Sequence, residues 1–165
     1  MIQERISSID SIKVLLSTIS DPEVPAISIV ELGIVRDVRL HSDFIEIIIT
    51  PTYSGCPAMK MIEDEIRRVL MDAGLSSVSV TTVFSPAWTT EWISDDAKLK
   101  LKRYGIAPPV HSVSSPLLQI GMPKILCPHC NSADTTKQSE FGSTACKAYY
   151  YCQSCRQAFE YFKSF

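Results

Sequence analysis

The sequence predicts an α+β protein: a small α-β-β-α-β-α domain, with helices on a three-stranded sheet, followed by a smaller C-terminal ribbon. Three observations predict it. Helical and strand periods alternate through residues 1–105. Residues 106–123 lose any amphipathic period and hold Pro108, Pro109, Pro116 and Pro123 among serines, so they read as a linker. Five of the six cysteines then fall in the last 39 residues, which makes 124–165 a separate module.

The elements follow in order. Ile9, Ile12, Leu15, Leu16 and Ile19 recur at helical spacing after Ser7 or Ser8 as the cap. Pro22 and Pro25 forbid that helix from continuing through Asp21-Pro22-Glu23-Val24-Pro25. Ile34–Leu40 alternates imperfectly as a first strand, His41-Ser42-Asp43 turns the chain, and Phe44–Thr50 is a second, more apolar strand, so the two form a hairpin. The next helix buries Met59, Ile62, Ile66, Val69, Leu70 and Ala73, with Pro57 suited to its first position and Gly74 to its end. Val78, Val80, Thr82 and Phe84 make a third strand, reached from the second through a helix and therefore parallel to it. A last helix follows Ser94, with Asp95 and Asp96 at its positive end and Lys98–Arg103 toward its negative end.

Composition excludes several classes. Apolar residues at 45% rule out wholesale disorder. No apolar run approaches the ~20 residues of a membrane-spanning helix, and Ile47–Ile49 is only a short core signal. Charge in Met1-Ile2-Gln3-Glu4-Arg5 stands where a secretory leader needs apolar residues, so a soluble cytoplasmic protein is expected, with no membrane partner. With 16 basic and 18 acidic side chains no global field attracts nucleic acid, although residues 1–119 carry 11 basic and 15 acidic groups and residues 120–165 carry 5 and 3.

Cys127-Pro128-His129-Cys130 and Cys152-Gln153-Ser154-Cys155 are two C-x-x-C pairs separated by 21 residues, the pattern of a zinc ribbon. Ala148–Tyr151 and Ala158–Phe162 supply its short strands. So small a module cannot bury enough apolar surface alone, so ligation of structural Zn2+ by Cys127, Cys130, Cys152 and Cys155 would supply much of its folding energy. An iron–sulfur cluster on the same thiolates is the alternative metal reading. Cys146 is a fifth thiol, with core packing, exchange into the metal site and redox chemistry all compatible with its context; His129 sits inside the first knuckle.

Cys56 is the isolated cysteine, placed before Pro57 at a helix start, where free N–H groups favour a thiolate. A buried, inert capping cysteine is the competing reading. No histidine lies near it in sequence, since His41 and His111 reach it only through folding; a Cys/His nucleophile is therefore poorly supported. Asp21 and Glu23 are either acid–base groups or a capped, solvated turn. Trp88 and Trp92 fit packing better than ligand stacking, and Lys98–Arg103 fits a solvated helix face better than a phosphate site.

Asp21-Pro22-Glu23-Val24-Pro25, then Ile29-Val30-Glu31-Leu32-Gly33-Ile34-Val35, then Thr50-Pro51-Thr52-Tyr53-Ser54-Gly55-Cys56-Pro57 resemble the MIP-type domain of iron–sulfur assembly factors such as SufT. With the ribbon, Phe141-Gly142-Ser143-Thr144-Ala145-Cys146-Lys147 and Glu160-Tyr161-Phe162-Lys163, the chain resembles the PaaD family of phenylacetate degradation along essentially its whole length. Ser164 stands after Lys163 where that family is expected to carry a further cysteine. The resemblance implies a maturation factor for the multicomponent phenylacetyl-CoA ring 1,2-epoxidase, partnering its oxygenase and reductase subunits, with no catalysis of its own. It implies transient iron or an iron–sulfur cluster as cargo at Asp21, Glu23, Thr50, Thr52 and Cys56. The chain has neither a Glu-x-x-His di-iron pair nor a dinucleotide fingerprint, in keeping with that division of labour. A structural or binding subunit that uses the ribbon to recognise protein is the alternative, and a homo-oligomer is left open.

Overall fold

Ser8 begins the described structure as the cap of the first helix. Its hydroxyl accepts from the Ser11 N–H at 3.2 Å and satisfies one of the amides that a helix start leaves free. The computed structural model describes residues 8–110 and 124–164. Helix α1 spans Ile9–Leu16 and buries Ile12 and Leu16, while Ile19 is buried just beyond its end. The strands β1 (Val35–Leu40) and β2 (Ile45–Ile49) pair antiparallel from Val35↔Ile49 to Leu40↔Ile45. A bulge between Val35 and Asp37 explains the imperfect alternation of the first strand, because one extra residue shifts the face each side chain meets.

Helix α2 (Ala58–Asp72) crosses from β2 to β3 (Val78–Thr82), and β2 and β3 pair in parallel. β2 is the central strand, which is why Ile47, Ile48 and Ile49 are all buried rather than alternating. α2 turns Ala58, Ile62, Ile66 and Leu70 inward at four-residue spacing. It ends as its sequence predicts, with Gly74 at φ +87°, the Leu75 N–H on the Leu70 carbonyl and the Gly74 N–H on the Met71 carbonyl.

The chain divides into two compact units, one running through Trp88 with Trp92–Ser94, the other holding Thr89–Glu91 and the residues from Asp95 onward. In the second unit, helix α3 (Asp95–Tyr104) is followed by a four-stranded sheet in the order β4-β7-β6-β5. Its strands are β4 (Ile106–Ala107), β5 (Thr135–Ser139), β6 (Lys147–Cys152) and β7 (Ala158–Phe162). β4 runs parallel to β7; the other pairs are antiparallel. Its core gathers Ala107, Ile125, Cys127, Ala148, Cys152, Phe159 and Tyr161.

Two expectations about organisation are corrected here. α3 groups with the ribbon rather than with the first domain, so the boundary expected at 105 falls earlier. Ile106 and Ala107, read as the start of a linker, are buried and hydrogen-bonded to β7. A two-residue strand has no period to detect; only its partner defines it. The rest of the expected linker from 111 to 123, with His111, lies outside the described residues.

Candidate functional site

The topology brings three distant segments to one end of β2. β2 and β3 are parallel with α2 between them, so the loop leaving β2 and the start of α2 lie at the carboxyl end of that strand. β1 is antiparallel to β2, so the segment entering β1 arrives at the same end. That segment is a folded loop, held by the bridge Ser20↔Ser28, by the Asp21 N–H on the Ile27 carbonyl at 3.0 Å and by the Thr50 N–H on the Ile34 carbonyl at 2.9 Å.

Glu23 and Cys56 thereby meet. The Cys56 thiol lies 3.9 Å from Glu23 Oε1, and the Tyr53 hydroxyl donates to the same oxygen at 3.1 Å. Asp21 is 4% exposed, not the solvated carboxylate of an exposed turn. Its Oδ1 accepts from the Glu23 and Val24 amides at 2.9 and 2.7 Å, so it builds the turn that aims Glu23. Thr50 and Thr52 are both buried. The Thr50 hydroxyl has no hydrogen-bond partner among the described residues, although an unsatisfied buried hydroxyl costs about 1–3 kcal/mol.

The electrostatics correct one expectation. The start of α2 does act on Cys56, since the Ala58 N–H favours its thiolate, but burial outweighs it and the Glu23 and Asp21 charges add to burial. The thiol is therefore pushed up, and Cys56 is neutral at pH 7 rather than an anion in waiting. Tyr53 is held well above the usual phenol range by burial, then by Cys56 and Glu23. A site with two carboxylates, a protonated thiol and a phenol is short of positive charge. A cation entering it would release the thiol proton and give the sulfur a partner.

In the second unit the four thiols of Cys127, Cys130, Cys152 and Cys155 have sulfurs all within 4.8 Å of one another. Cys127 and Cys155 are 3.7 Å apart, and Cys130 and Cys152 are 3.6 Å apart. A tetrahedral ion with sulfur ligands at about 2.3 Å sets thiolates about 3.8 Å apart, so the cradle fits one zinc-sized ion. A cluster, whose thiolates bind different irons, needs a wider set. The Cys155 N–H holds the Cys152 thiol down to about 7, while burial pushes Cys155 up to about 12. Thiols packed this closely hold their protons unequally.

The other candidate side chains have packing or surface roles. Cys146 is buried, lies 3.1 Å from the Thr144 hydroxyl and is not one of the four grouped thiols. His129 is exposed beside Gly105, and His41 stacks on Phe44 while meeting Glu46 at 3.3 Å. Trp88 is buried and donates to the Leu32 carbonyl at 2.9 Å. Trp92 is covered by the Arg36 guanidinium at 3.3 Å from its ring centre. Both are packing residues, as expected. Tyr53 is the site residue that the sequence pattern does not single out; lying three residues before Cys56 in the same loop was its one available signal.

Both halves of the chain are similar to known proteins. Residues 9–83 match the family described as "Iron-sulfur cluster assembly protein", and residues 114–163 match "PaaD zinc beta ribbon domain". The chain is 48% identical over 150 residues to an Escherichia coli (strain K12) protein described as a putative subunit of 1,2-phenylacetyl-CoA epoxidase, covering 90% of this chain and 88% of that one. It is 32% identical over 89 residues to the "Fe-S protein maturation auxiliary factor" of Porphyromonas gingivalis (strain ATCC BAA-308 / W83), covering 53% of this chain and 84% of that one. Among solved structures, the "Domain of Unknown Function DUF59 from Bacillus anthracis" superposes with a TM-score of 0.53 at 30% identity, over 56% of this chain and 89% of that one.

Proposed function

The chain belongs to the PaaD family, and from that premise we propose that it is a maturation factor that hands iron, or an iron–sulfur cluster, to a phenylacetyl-CoA epoxidase. The cargo is received at Cys56 and Glu23. One observation carries this reading: the Cys56 thiol faces a carboxylate oxygen of Glu23, 33 residues away in sequence, and the Tyr53 hydroxyl is a second donor to that oxygen.

The residues have separable tasks. Cys56 supplies the soft donor and Glu23 the hard one, a pair suited to iron. When a cation arrives, the proton leaves Cys56 Sγ toward Glu23 Oε1, the acceptor already facing it, and passes on to solvent. Tyr53 keeps Glu23 oriented while the site is empty of cargo. Asp21 holds the turn, and just past the end of β2 the buried Thr50 hydroxyl has no hydrogen-bond partner among the described residues. Because the sulfur is protonated before loading, uptake releases a proton and strengthens as pH rises. Loading is reversible for the same reason: the cation must displace the thiol proton, which lowers the apparent affinity at neutral pH, as a donor of cargo requires. The four-cysteine cradle would hold structural zinc, whose chemistry is to tie the two knuckles together; it leaves no open position for catalysis.

The test is Cys56→Ser expressed with the epoxidase components. The variant should keep its zinc and its circular dichroism spectrum, while the partner subunits are recovered with less iron and less activity. Full iron loading in that background would refute the proposal. The description of the Escherichia coli relative as part of the epoxidase favours a second reading, a structural component of the oxygenase. Stoichiometric co-purification that survives dilution would support it, and transient association would support delivery.

A further inference from the structure

The second unit contains a cavity of about 490 Å³ that no part of the delivery reading uses. It lies against one face of its sheet, and its volume falls in the range of small-molecule sites rather than of packing defects. Ile125 lines it with Tyr150 and Tyr161, whose rings meet edge to face at 5.7 Å and 76°. Tyr150 is also stacked on Phe159, its cross-strand partner, at 5.8 Å, so its ring is held from the side. The wall is thus a rigid aromatic surface, which favours a flat apolar body.

The rest of the lining has the opposite character. It includes Lys124, Lys137 and Lys163, and Glu140 is its one carboxylate. Glu140 pairs with Lys137 at 2.8 Å, which leaves a surplus of positive charge. Lys163 is anchored by the Glu140 carbonyl at 3.2 Å and lies 4.8 Å from the centre of the Phe141 ring, so its ammonium is held in place. An aromatic wall in the same cavity as lysine ammonium groups selects for negative charge and for apolar area together.

We infer that this cavity binds an amphipathic organic anion, a flat apolar body whose negatively charged group sits among Lys124, Lys137 and Lys163. A metal ion is disfavoured by the lysines, and extended nucleic acid by a volume sized for a small molecule. The site is independent of Cys56, so its test stands apart from the delivery reading.

The probe is 2-naphthoate, compared with its neutral isostere 2-naphthamide, titrated into full-length zinc-loaded protein and followed by backbone amide NMR. Saturable shifts are expected at Thr135, Lys137, Tyr150 and Tyr161, with the anion binding about tenfold tighter than the amide. Raised salt should erase that preference, and Lys124→Gln with Lys163→Gln should do the same without loss of zinc. Lys124→Gln alone, which leaves the Lys163 contacts in place, should weaken the anion severalfold. Equal affinity for the two probes, no saturation at millimolar concentration, shifts centred elsewhere, or a preference that survives both substitutions would each overturn the inference.

Discussion

Glu23 Oε1 is shared by two donors that compete for it, the Tyr53 hydroxyl and the Cys56 thiol. Burial raises the thiol above its ordinary range and the carboxylate charge adds to that rise, so removing the charge has a definite sign. Glu23→Gln should lower the thiol and quicken its alkylation by iodoacetamide at pH 7, by up to roughly tenfold for each unit recovered. The burial contribution remains, so the ordinary value is not fully restored. An unchanged alkylation profile would show that the carboxylate does not act on the sulfur. The same shift bears on folding. The native state keeps the Cys56 proton after the unfolded chain has lost it, so the group contributes stability below its unfolded range, and that stability is lost as pH rises through the unfolded and then the raised folded value. Cys56→Ala should flatten this alkaline loss in denaturation curves collected above pH 8.

Two turns set the elements around them. Gly33 has φ +76°, and a methyl group there would lie 2.8 Å from Trp92 Cβ. Gly33→Ala therefore meets both left-handed strain and a clash with backbone and side chain, and should cost about 2–3 kcal/mol in urea denaturation. In the ribbon, the Phe141–Lys147 segment is organised by Glu160, which lies 3.2 Å from the buried Lys147 ammonium and accepts from the Ser143 N–H. Burial alone would raise Glu160, but the Ser143 amide and the Lys147 charge outweigh it and hold the carboxyl below its usual range. Stability from this group is present above the unfolded carboxylate range and is lost as pH falls through the lowered folded value. Glu160→Gln should cost about 2 kcal/mol, less than a fully buried pair because part of the side chain remains in water. It should also reduce the acid sensitivity of the second unit.

At the scale of the whole molecule, the two units draw on different sources of stability. The first buries a large set of apolar side chains that includes Ile12, Leu16, Ile47, Ile49, Ile62, Ile66 and Leu70. The second buries Cys127 and Cys152 within its own core cluster, so its metal ligands are also its packing residues. Removing the metal with a strong chelator should unfold the second unit and leave the helical signal of α1 and α2 largely intact. Thermal melts should then resolve two transitions, of which only the one belonging to the second unit moves with added zinc. A single transition unaffected by chelation would mean that the cysteine cradle does not contribute to folding. Among the described residues no helix is long and apolar enough to cross a membrane.

Local patterns carried much of this protein. Helix ends at Ser8 and Gly74, the hairpin around His41–Asp43 and the two C-x-x-C knuckles each rest on residues within a few positions of one another, where propensity, capping and ligand spacing act directly. Contacts made across distance were decided only by the fold. β4 and β5 have too few residues or too polar a pattern to signal themselves, and they exist because β7 and β6 offer them hydrogen-bond partners. The state of Cys56 followed the same rule. Its sequence neighbours supply a helix start that favours a thiolate, but the burial and the Glu23 carboxylate that reverse the sign arrive from tertiary packing. A dipole effect falls off within one turn and so can be read from neighbouring residues, whereas desolvation and charge at a site depend on everything the chain folds around it.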